Sequence, residues 1–544
     1  MLPLRLLPFV AALFSVSAFA APAIRLNTLG FLPDAPKQAT VAAKSGDFSV
    51  VRAHDGAVVF KGTLQPSASA PDGEEVLAVA DFSGLRVPGT YVLQVKNAGE
   101  SPVFRIASDL YREPFFLVTR AMYLWRCGVE VSGEWQGRHF HHAACHLDDA
   151  WLDHVTGRHE KLASTGGWHD AGDYNKYVVN AGVTLGAMLR AWEDFPAVRT
   201  IALNLPESGG PLPDYLAEIK FETDWLLTMQ AADGSVYTKV STERFGPFVL
   251  PEKETTPRYV CPAGTPAAAD FVAMLAQAAR VFRPFAPDYA ERCLASARKS
   301  YAYLVAHPEL IAPDQSKFHT GTYATKDADD RLWAAAEMWE TTGDADALRD
   351  LETRIRDLKP AFDENFDWGE VKNLGLLTYL YSQRPGRGAA LVQELRDNLL
   401  KTADTIVAKA HAHPYARPLG DRYYWGGNGG VGRQTLLLAA AHRLTGDRKY
   451  RDTALDALNH LFGRNVHGRS YVTGLGERPP LFPHDRRSGG DGVDQPWPGY
   501  LVGGPNPTAK DWFDVEPDPR TNEIAINWNA ALIYALGGFL AETK

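Results

Sequence analysis

LWAAAEMWETTGDADAL (Leu332 to Leu348) and its echo LLLAAAHRLTGDRKYRDTAL (Leu436 to Leu455) decide how most of this chain folds. In each, an apolar helix-forming run ends at a glycine, Gly343 or Gly446, suited to the left-handed position that closes a helix. The next residue, Asp344 or Asp447, is a good N-cap for a second helix, because its carboxylate accepts an otherwise unpaired backbone N–H. Each stretch is therefore a tight helical hairpin. FVAMLAQAARVF (Phe271 to Phe282) followed by Pro287-Asp288 reads as a third.

Outward from these hairpins, amphipathic stretches between Leu110 and Leu540 add up to about a dozen helices, joined by short turns on one side and long Gly/Pro-rich segments on the other. No hairpin can bury its apolar face alone, so a closed ring of six is predicted. The long segments, rich in aromatics, should gather on one face and build the site.

Toward the N-terminus the period changes. SDLYREPFFLVTRAMYLWRCG, from Ser108, has helical spacing, whereas Ile24 to about Ile106 is a series of short β-branched runs broken by turn dipeptides. Asp55-Gly56 between two such runs is a hairpin signal of the type I′ kind. This part reads as a β-sandwich of residues 21–107, with the helical domain at 108–544. Residues 1–20 carry Arg5, an apolar stretch and the small-x-small sequence Ala18-Phe19-Ala20, which predicts a cleaved signal peptide and export to the periplasm or beyond. An uncleaved anchor is disfavoured, since the apolar stretch is shorter than the ~20 residues a bilayer needs.

The chain has 544 residues, 45% hydrophobic and 22% charged, with a formal charge of −9. That is a globular composition without the basic runs of a nucleic-acid binder, and a neutral partner suits it better. No other stretch reads as a membrane span, and a monomer is expected. Four cysteines are too few for a disulfide scaffold.

Two acidic segments could carry chemistry. STGGWHDAGDYNKYVVN (Ser164 to Asn180) places Asp170 and Asp173 three residues apart at the mouth of a helix, close enough to hold one water or one cation together. Alternatively, Asp173 is simply the N-cap of that helix. DWFDVEPDPRTNEIAINWNAALIYALGGFL (Asp511 to Leu540) runs an acidic loop into an apolar helix, with Asn522 read as the cap and Glu523 in the first turn, where a dipole partner is the ordinary explanation. Sequence spacing does not show whether the two segments meet.

GGWHDAGDYNKYVVNAG, YYWGGNGG, SYVTGLGERPPLFPHDR and NEIAINWNAALIYALGGF, in that order, resemble glycoside hydrolase family 9, chiefly its endo-β-1,4-glucanases. IRLNTLGFLPDAPKQA, from Ile24, is similar to the start of the immunoglobulin-like domain of its bacterial members. The resemblance implies an N-terminal all-β immunoglobulin-like sandwich followed by an all-α (α/α)6 barrel. It also implies inverting hydrolysis of β-1,4-glucan with no organic cofactor, Asp173 being the general base, Glu523 the general acid and Asp170 a holder of the attacking water.

Inversion asks for two carboxyl groups about 6.5–9.5 Å apart, one protonating the leaving oxygen and one deprotonating water on the opposite ring face. A first-turn position would lower the pKa of the acid. Neighbours that raise it are therefore predicted, with Asp514 and Asp518 as candidates.

His484 and Arg486 match the family's sugar-contacting His-x-Arg, and Trp168, Tyr424 and Trp425 offer faces for stacking on sugars, or equally for core packing. Pro519 and Thr238 depart from the family pattern in loops expected to shape the groove.

Cys127, Cys145, His146 and His169 match the structural zinc site of bacterial relatives, and four such ligands close a tetrahedral ion. A Cys127–Cys145 disulfide is the competing reading. Cys261 and Cys293 read as buried thiols or a second disulfide. Asp327, Asp329 and Asp330, with help from Asp367, correspond to a calcium-binding loop of relatives, or else to a solvated helix cap. The leading function is thus an exported endoglucanase. An exo-acting glycosidase on cello- or glucosamine-oligosaccharides is the alternative, and a non-catalytic glycan-binding protein a remote one.

Overall fold

The computed structural model describes residues 21–67, 75–357 and 362–541, so the predicted signal peptide lies outside the described residues. The first part is a two-sheet sandwich. One sheet has the order Ile24–Arg25, Gln38–Val41, Ala78–Asp81, Gln65–Pro66; the other runs Gly30–Phe31, Phe104–Ile106, Gly89–Val95, Asp47–Arg52, Val58–Thr63. Alternating residues of both sheets fill the space between them. Phe31 meets Phe82 and Phe104 edge-on at 5.3 and 5.5 Å.

The Asp55-Gly56 hairpin forms, but not with the predicted turn. Only Gly56 has positive φ, and a four-residue loop is closed by the Arg52 N–H on the Ala57 carbonyl at 2.9 Å. Four residues suffice for a turn that needs only one left-handed position.

The sandwich packs against the helical part through directed polar contacts. Thr40 donates to the Pro414 carbonyl (2.8 Å), Thr28 to that of Phe462 (2.7 Å), and Asn27 to the Asn459 side chain (3.1 Å). Arg25, 4% exposed, binds Glu75 and the Tyr415 hydroxyl.

Twelve helices of ten or more residues follow among the described residues. Six are inner: Val178–Asp194, Thr265–Phe282, Ala328–Thr342, Lys372–Tyr381, Gly427–Thr445 and Ile526–Gly537. They are buried around most or all of their circumference, as helices apolar on every side must be. Among the outer helices some show a single narrow apolar stripe. Ala345–Asp357, for example, buries only Ala347, Leu351 and Ile355, four residues apart on one face.

The hairpin turns form as read. Gly343 and Gly446 are left-handed (φ 76° and 72°), and the side chains of Asp344 and Asp447 accept the N–H groups of Asp346 (2.8 Å) and Lys449 (3.0 Å). The ring closes differently from six consecutive hairpins, because the sixth pair joins the two ends of the domain. Ile526–Gly537 packs against Arg112–Leu124, and also against its inner neighbours Val178–Asp194 and Gly427–Thr445.

No helix of the described residues is long and apolar enough to cross a membrane. The hairpin turns after Ala328–Thr342 and Gly427–Thr445 lie at one end of the barrel. At the other end, where the inner helices begin, the long loops converge.

Candidate active site

A cleft of about 710 Å³ opens there, and five inner helices contribute the residues just before their own first turns. Asp170, Asp173 and Tyr177 precede Val178–Asp194, and Tyr323 precedes Ala328–Thr342. Asp367 and Trp368 precede Lys372–Tyr381, Trp425 precedes Gly427–Thr445, and Glu523 precedes Ile526–Gly537.

The cleft floor is knitted from backbone. Ala171 pairs with Ala525, His484 with Glu523, and Val502 with Ile524. The His484 N–H reaches the Asn522 carbonyl at 2.8 Å, the Ile526 N–H that of Asp170 at 2.9 Å, and the Arg486 N–H that of Gly172 at 3.0 Å. Gly172 is required at this crossing, since a Cβ there would sit 2.0 Å from the His484 carbonyl oxygen. Two segments distant in sequence are thereby held side by side with their carboxyl groups on one cleft.

This geometry corrects the local reading of both acidic segments. Asp173 does not cap the helix, which starts at Val178 after an extended Tyr177. Glu523 is not in a first turn and Asn522 is not a cap. Pro519–Asn522 is a short helix capped by Asp518, Glu523 is extended (φ −69°, ψ 156°), and the long helix begins only at Ile526.

Each carboxylate has its own partners. Asp170 accepts from the Tyr323 hydroxyl (2.6 Å) and the Asn180 amide (2.7 Å), Asp173 from Asn175 (2.5 Å), and Glu523 from the Trp425 indole N–H (3.2 Å). Burial and then the neighbouring Asp173 push Asp170 up to about 8, against its two hydrogen bonds. Burial also raises Asp173, opposed by Arg486 and Asn175. Glu523 stands well above the usual range through desolvation, then Asp173 and Asp170.

The predicted raising neighbours are therefore not the ones at work. Asp514 accepts the N–H groups of Leu481 and Phe482, and Asp518 caps its short helix.

Of the predicted sugar contacts, His484, Arg486 and Trp425 line the cleft. His484 is fixed by the Glu516 carbonyl (2.7 Å), and Arg486 by the carbonyls of Gly172 (2.9 Å) and Gly246 (3.1 Å). Trp168 does not line it. It is 1% exposed, and its indole N–H bonds Glu218 at 2.8 Å, so it is a core residue. Tyr424 is also absent from the cleft and packs against the barrel core. Pro519 lines the cleft as expected, but Thr238 is buried against the Pro262 carbonyl.

Sequence reading missed Tyr177, Phe245, Tyr323, Trp368 and Trp528, which supply the remaining aromatic wall. Tyr323, held at φ 43° with its ring edge-on to Tyr177 and Trp368, sits in a loop with no motif of its own.

Cys127, Cys145, His146 and His169 do come together, each offering a ligand atom within 4.8 Å of the others. The thiol of Cys127 lies 3.6 Å from His146 Nδ1, and that of Cys145 3.9 Å from His169 Nε2. A tetrahedral ion with metal–sulfur and metal–nitrogen bonds of normal length places such atoms about 3.5 Å apart, so this S₂N₂ set fits one. All four cysteines are free and buried, so neither alternative disulfide forms.

The carboxylates of the acidic set take separate partners. Asp327 pairs with Arg331 (2.8 Å), Asp329 accepts the Val371 N–H (2.6 Å), and Asp367 lies at the cleft on Arg433 (2.5 Å) and Asn527 (3.0 Å). Asp330 is fully buried, and burial, then Asp270, Asp329 and Asp327, raise its carboxyl well above the usual range. Among the described residues, these four do not form a group whose carboxyl oxygens could hold one metal ion.

The sequence model of Glycosyl hydrolase family 9 matches residues 111–536, and that of the cellulase N-terminal ig-like domain matches residues 20–100. The chain belongs to family 9. Endoglucanase D of Acetivibrio thermocellus is 53% identical over 521 residues, which cover 95% of this chain and 83% of that protein. A metagenome-derived family 9 endoglucanase superposes with a TM-score of 0.89 at 34% identity, covering 95% of this chain and 98% of that one. The Zn-binding triple mutant of family 9 endoglucanase J30 superposes with a TM-score of 0.88 at 34% identity, covering 94% and 100%. This family 9 chain is a β-1,4-glucan hydrolase of the endoglucanase (cellulase) type.

The crowded carboxyls give this family 9 site a pH signature. Asp170 ionises near 3.8 when unfolded and near 8 in the fold, so between those values the unfolded chain holds fewer protons and stability falls as pH rises. Asp170→Asn removes that loss. Its thermal midpoint relative to the parent should climb steadily from pH 5 to pH 8 while activity drops, and a difference independent of pH would contradict the assignment.

Proposed function

We propose that the chain is an exported endo-acting β-1,4-glucanase that cleaves with inversion, with Asp173 as base, Glu523 as acid and Asp170 as holder of the nucleophilic water. The observation that carries this reading is the convergence of three carboxyl groups, two buried and one half-buried, on one cleft in unequal surroundings. Three like charges so close cannot all ionise at neutral pH, and the one best supported as an anion is Asp173, near Arg486 and bonded by Asn175. Glu523 is repelled by both aspartates and keeps its proton, as a general acid must.

In the step itself, a water bound between Asp170 and Asp173 loses a proton to Asp173 as its oxygen bonds the anomeric carbon. The glycosidic C–O bond breaks on the other ring face, and its oxygen takes the proton of Glu523. Tyr323 and Asn180 fix Asp170 for this task. The indole N–H of Trp425 is placed to stabilise the Glu523 carboxylate once its proton has left.

Endo action is supported by the likeness to Endoglucanase D. On carboxymethyl-cellulose the purified chain should lower viscosity before much reducing sugar accumulates, and Glu523→Gln should lose at least about a thousandfold in rate. Slow release of monomer or dimer without loss of viscosity would favour the exo reading, and an active Glu523→Gln would overturn the acid.

We infer that the Cys127, Cys145, His146 and His169 cluster holds a structural zinc ion. Two thiolates and two imidazoles suit zinc, and four protein ligands leave no open position for catalysis. When bound, the ion supplies a crosslink rather than a reactive group. His169 precedes Asp170, and its N–H bonds the Trp125 carbonyl at 2.8 Å, while the Cys127 N–H bonds that of Gly167 at 2.8 Å. Chelation should lower both the thermal midpoint and kcat, with zinc restoring both. A chain that contains no zinc as purified and is unaffected by chelator would refute this.

A further inference from the structure

Two loops beside the segment of Glu523 expose large apolar side chains. Leu481 and Phe482 on one, and Phe513 and Val515 on the other, are between 37% and 55% exposed. Scattered apolar residues on a surface are ordinary, but these four are organised by one half-buried carboxylate. Asp514 accepts the N–H of Leu481 (3.0 and 2.9 Å), the N–H of Phe482 (2.9 Å), the Arg469 guanidinium (3.0 Å) and the Asn522 amide (3.3 Å). The two loops are thus clamped side by side, at a cost in chain entropy that a purely solvated surface would not need.

The clamp is continuous with the cleft. Asn522, the residue before Glu523, also donates to the Phe482 carbonyl at 2.5 Å, and His484 on the cleft wall is held by the Glu516 carbonyl at 2.7 Å. Pro519, between Val515 and Glu523 in sequence, lines the cleft itself. Phe482 and Phe513 are each more than half exposed, at 55% and 54%.

We propose that Leu481, Phe482, Phe513 and Val515 form an outer platform for the substrate chain, on which glucosyl residues lying beyond the cleft rest their apolar faces. A β-1,4-glucan carries its hydroxyls equatorially, so each ring presents C–H groups above and below, the surface that an aromatic side chain covers best. A polymer cut in this cleft has to continue past its rim, and this apolar rim adjoins the segment of the acid. The proposal rests on the reading of the cleft as a β-1,4-glucan site.

The test compares the parent with a Phe482→Ala/Phe513→Ala double variant on cellohexaose and on p-nitrophenyl cellobioside. Losing two stacking faces should raise KM for cellohexaose roughly tenfold with kcat unchanged, and leave the short glycoside untouched. Binding of cellohexaose to Glu523→Gln, with and without the two alanines, should weaken by the same factor. Unchanged KM and affinity would overturn the platform. So would equal losses on both substrates, which mean damage to the Glu523 segment through Asn522. A parent chain that neither cleaves nor binds cellohexaose would instead overturn the glucan reading, and the platform with it.

Discussion

The crossing of the Asp170–Asp173 segment under His484 and alongside Ala525 is the constraint on which the site depends. Backbone hydrogen bonds set this crossing, the Arg486 guanidinium reinforces it at the Gly172 carbonyl, and the carbonyl of His484 approaches Gly172 so closely that only a glycine fits. From it follow the placement of two carboxyl groups from opposite ends of the domain, the seat of Arg486, and the closure of the helical ring by its first and last members. The metal-ligand cluster extends the same network, because His169 and Gly167 are tied by backbone bonds to the residues flanking Arg126.

Electrostatics then decide what the site can do. Inner helices present their N-termini to the cleft, and that alone favours carboxylate anions by about 0.3–1 kcal/mol each. Burial and mutual repulsion oppose this and win. The rise of Asp170 from 3.8 to about 8 corresponds to roughly 5–6 kcal/mol against ionisation. A site that holds protons at neutral pH costs the fold stability, which the extended barrel core offsets. It also puts the proposed acid and base in one place.

Much of this was legible in the sequence, for identifiable reasons. Gly343-Asp344 and Gly446-Asp447 announce helical hairpins because left-handed closure and side-chain capping are local events. The cysteines and histidines of the metal-ligand set are recognisable by type. Contacts that depend on tertiary direction were not legible. Trp168 and Trp425 look alike in sequence, yet one donates to Glu218 in the core and the other to Glu523 in the cleft. Tyr323 reaches Asp170 from a loop without any periodic signal, and the acidic residues near Asp329 find separate partners once helices surround them. The helix containing Glu523 was misplaced because Pro519 and Asp518 start a short helix of their own, leaving the acid in the extended link before Ile526.

Asp173 and Glu523 are proposed to act on opposite faces of the sugar ring. Proton NMR of the reaction, recorded within the first minutes on a soluble cello-oligosaccharide, reads the configuration of each new reducing end before it mutarotates. With inversion the α-anomer appears first and then equilibrates. Initial release of the β-anomer would mean retention through a covalent intermediate, and would contradict the roles given to both residues.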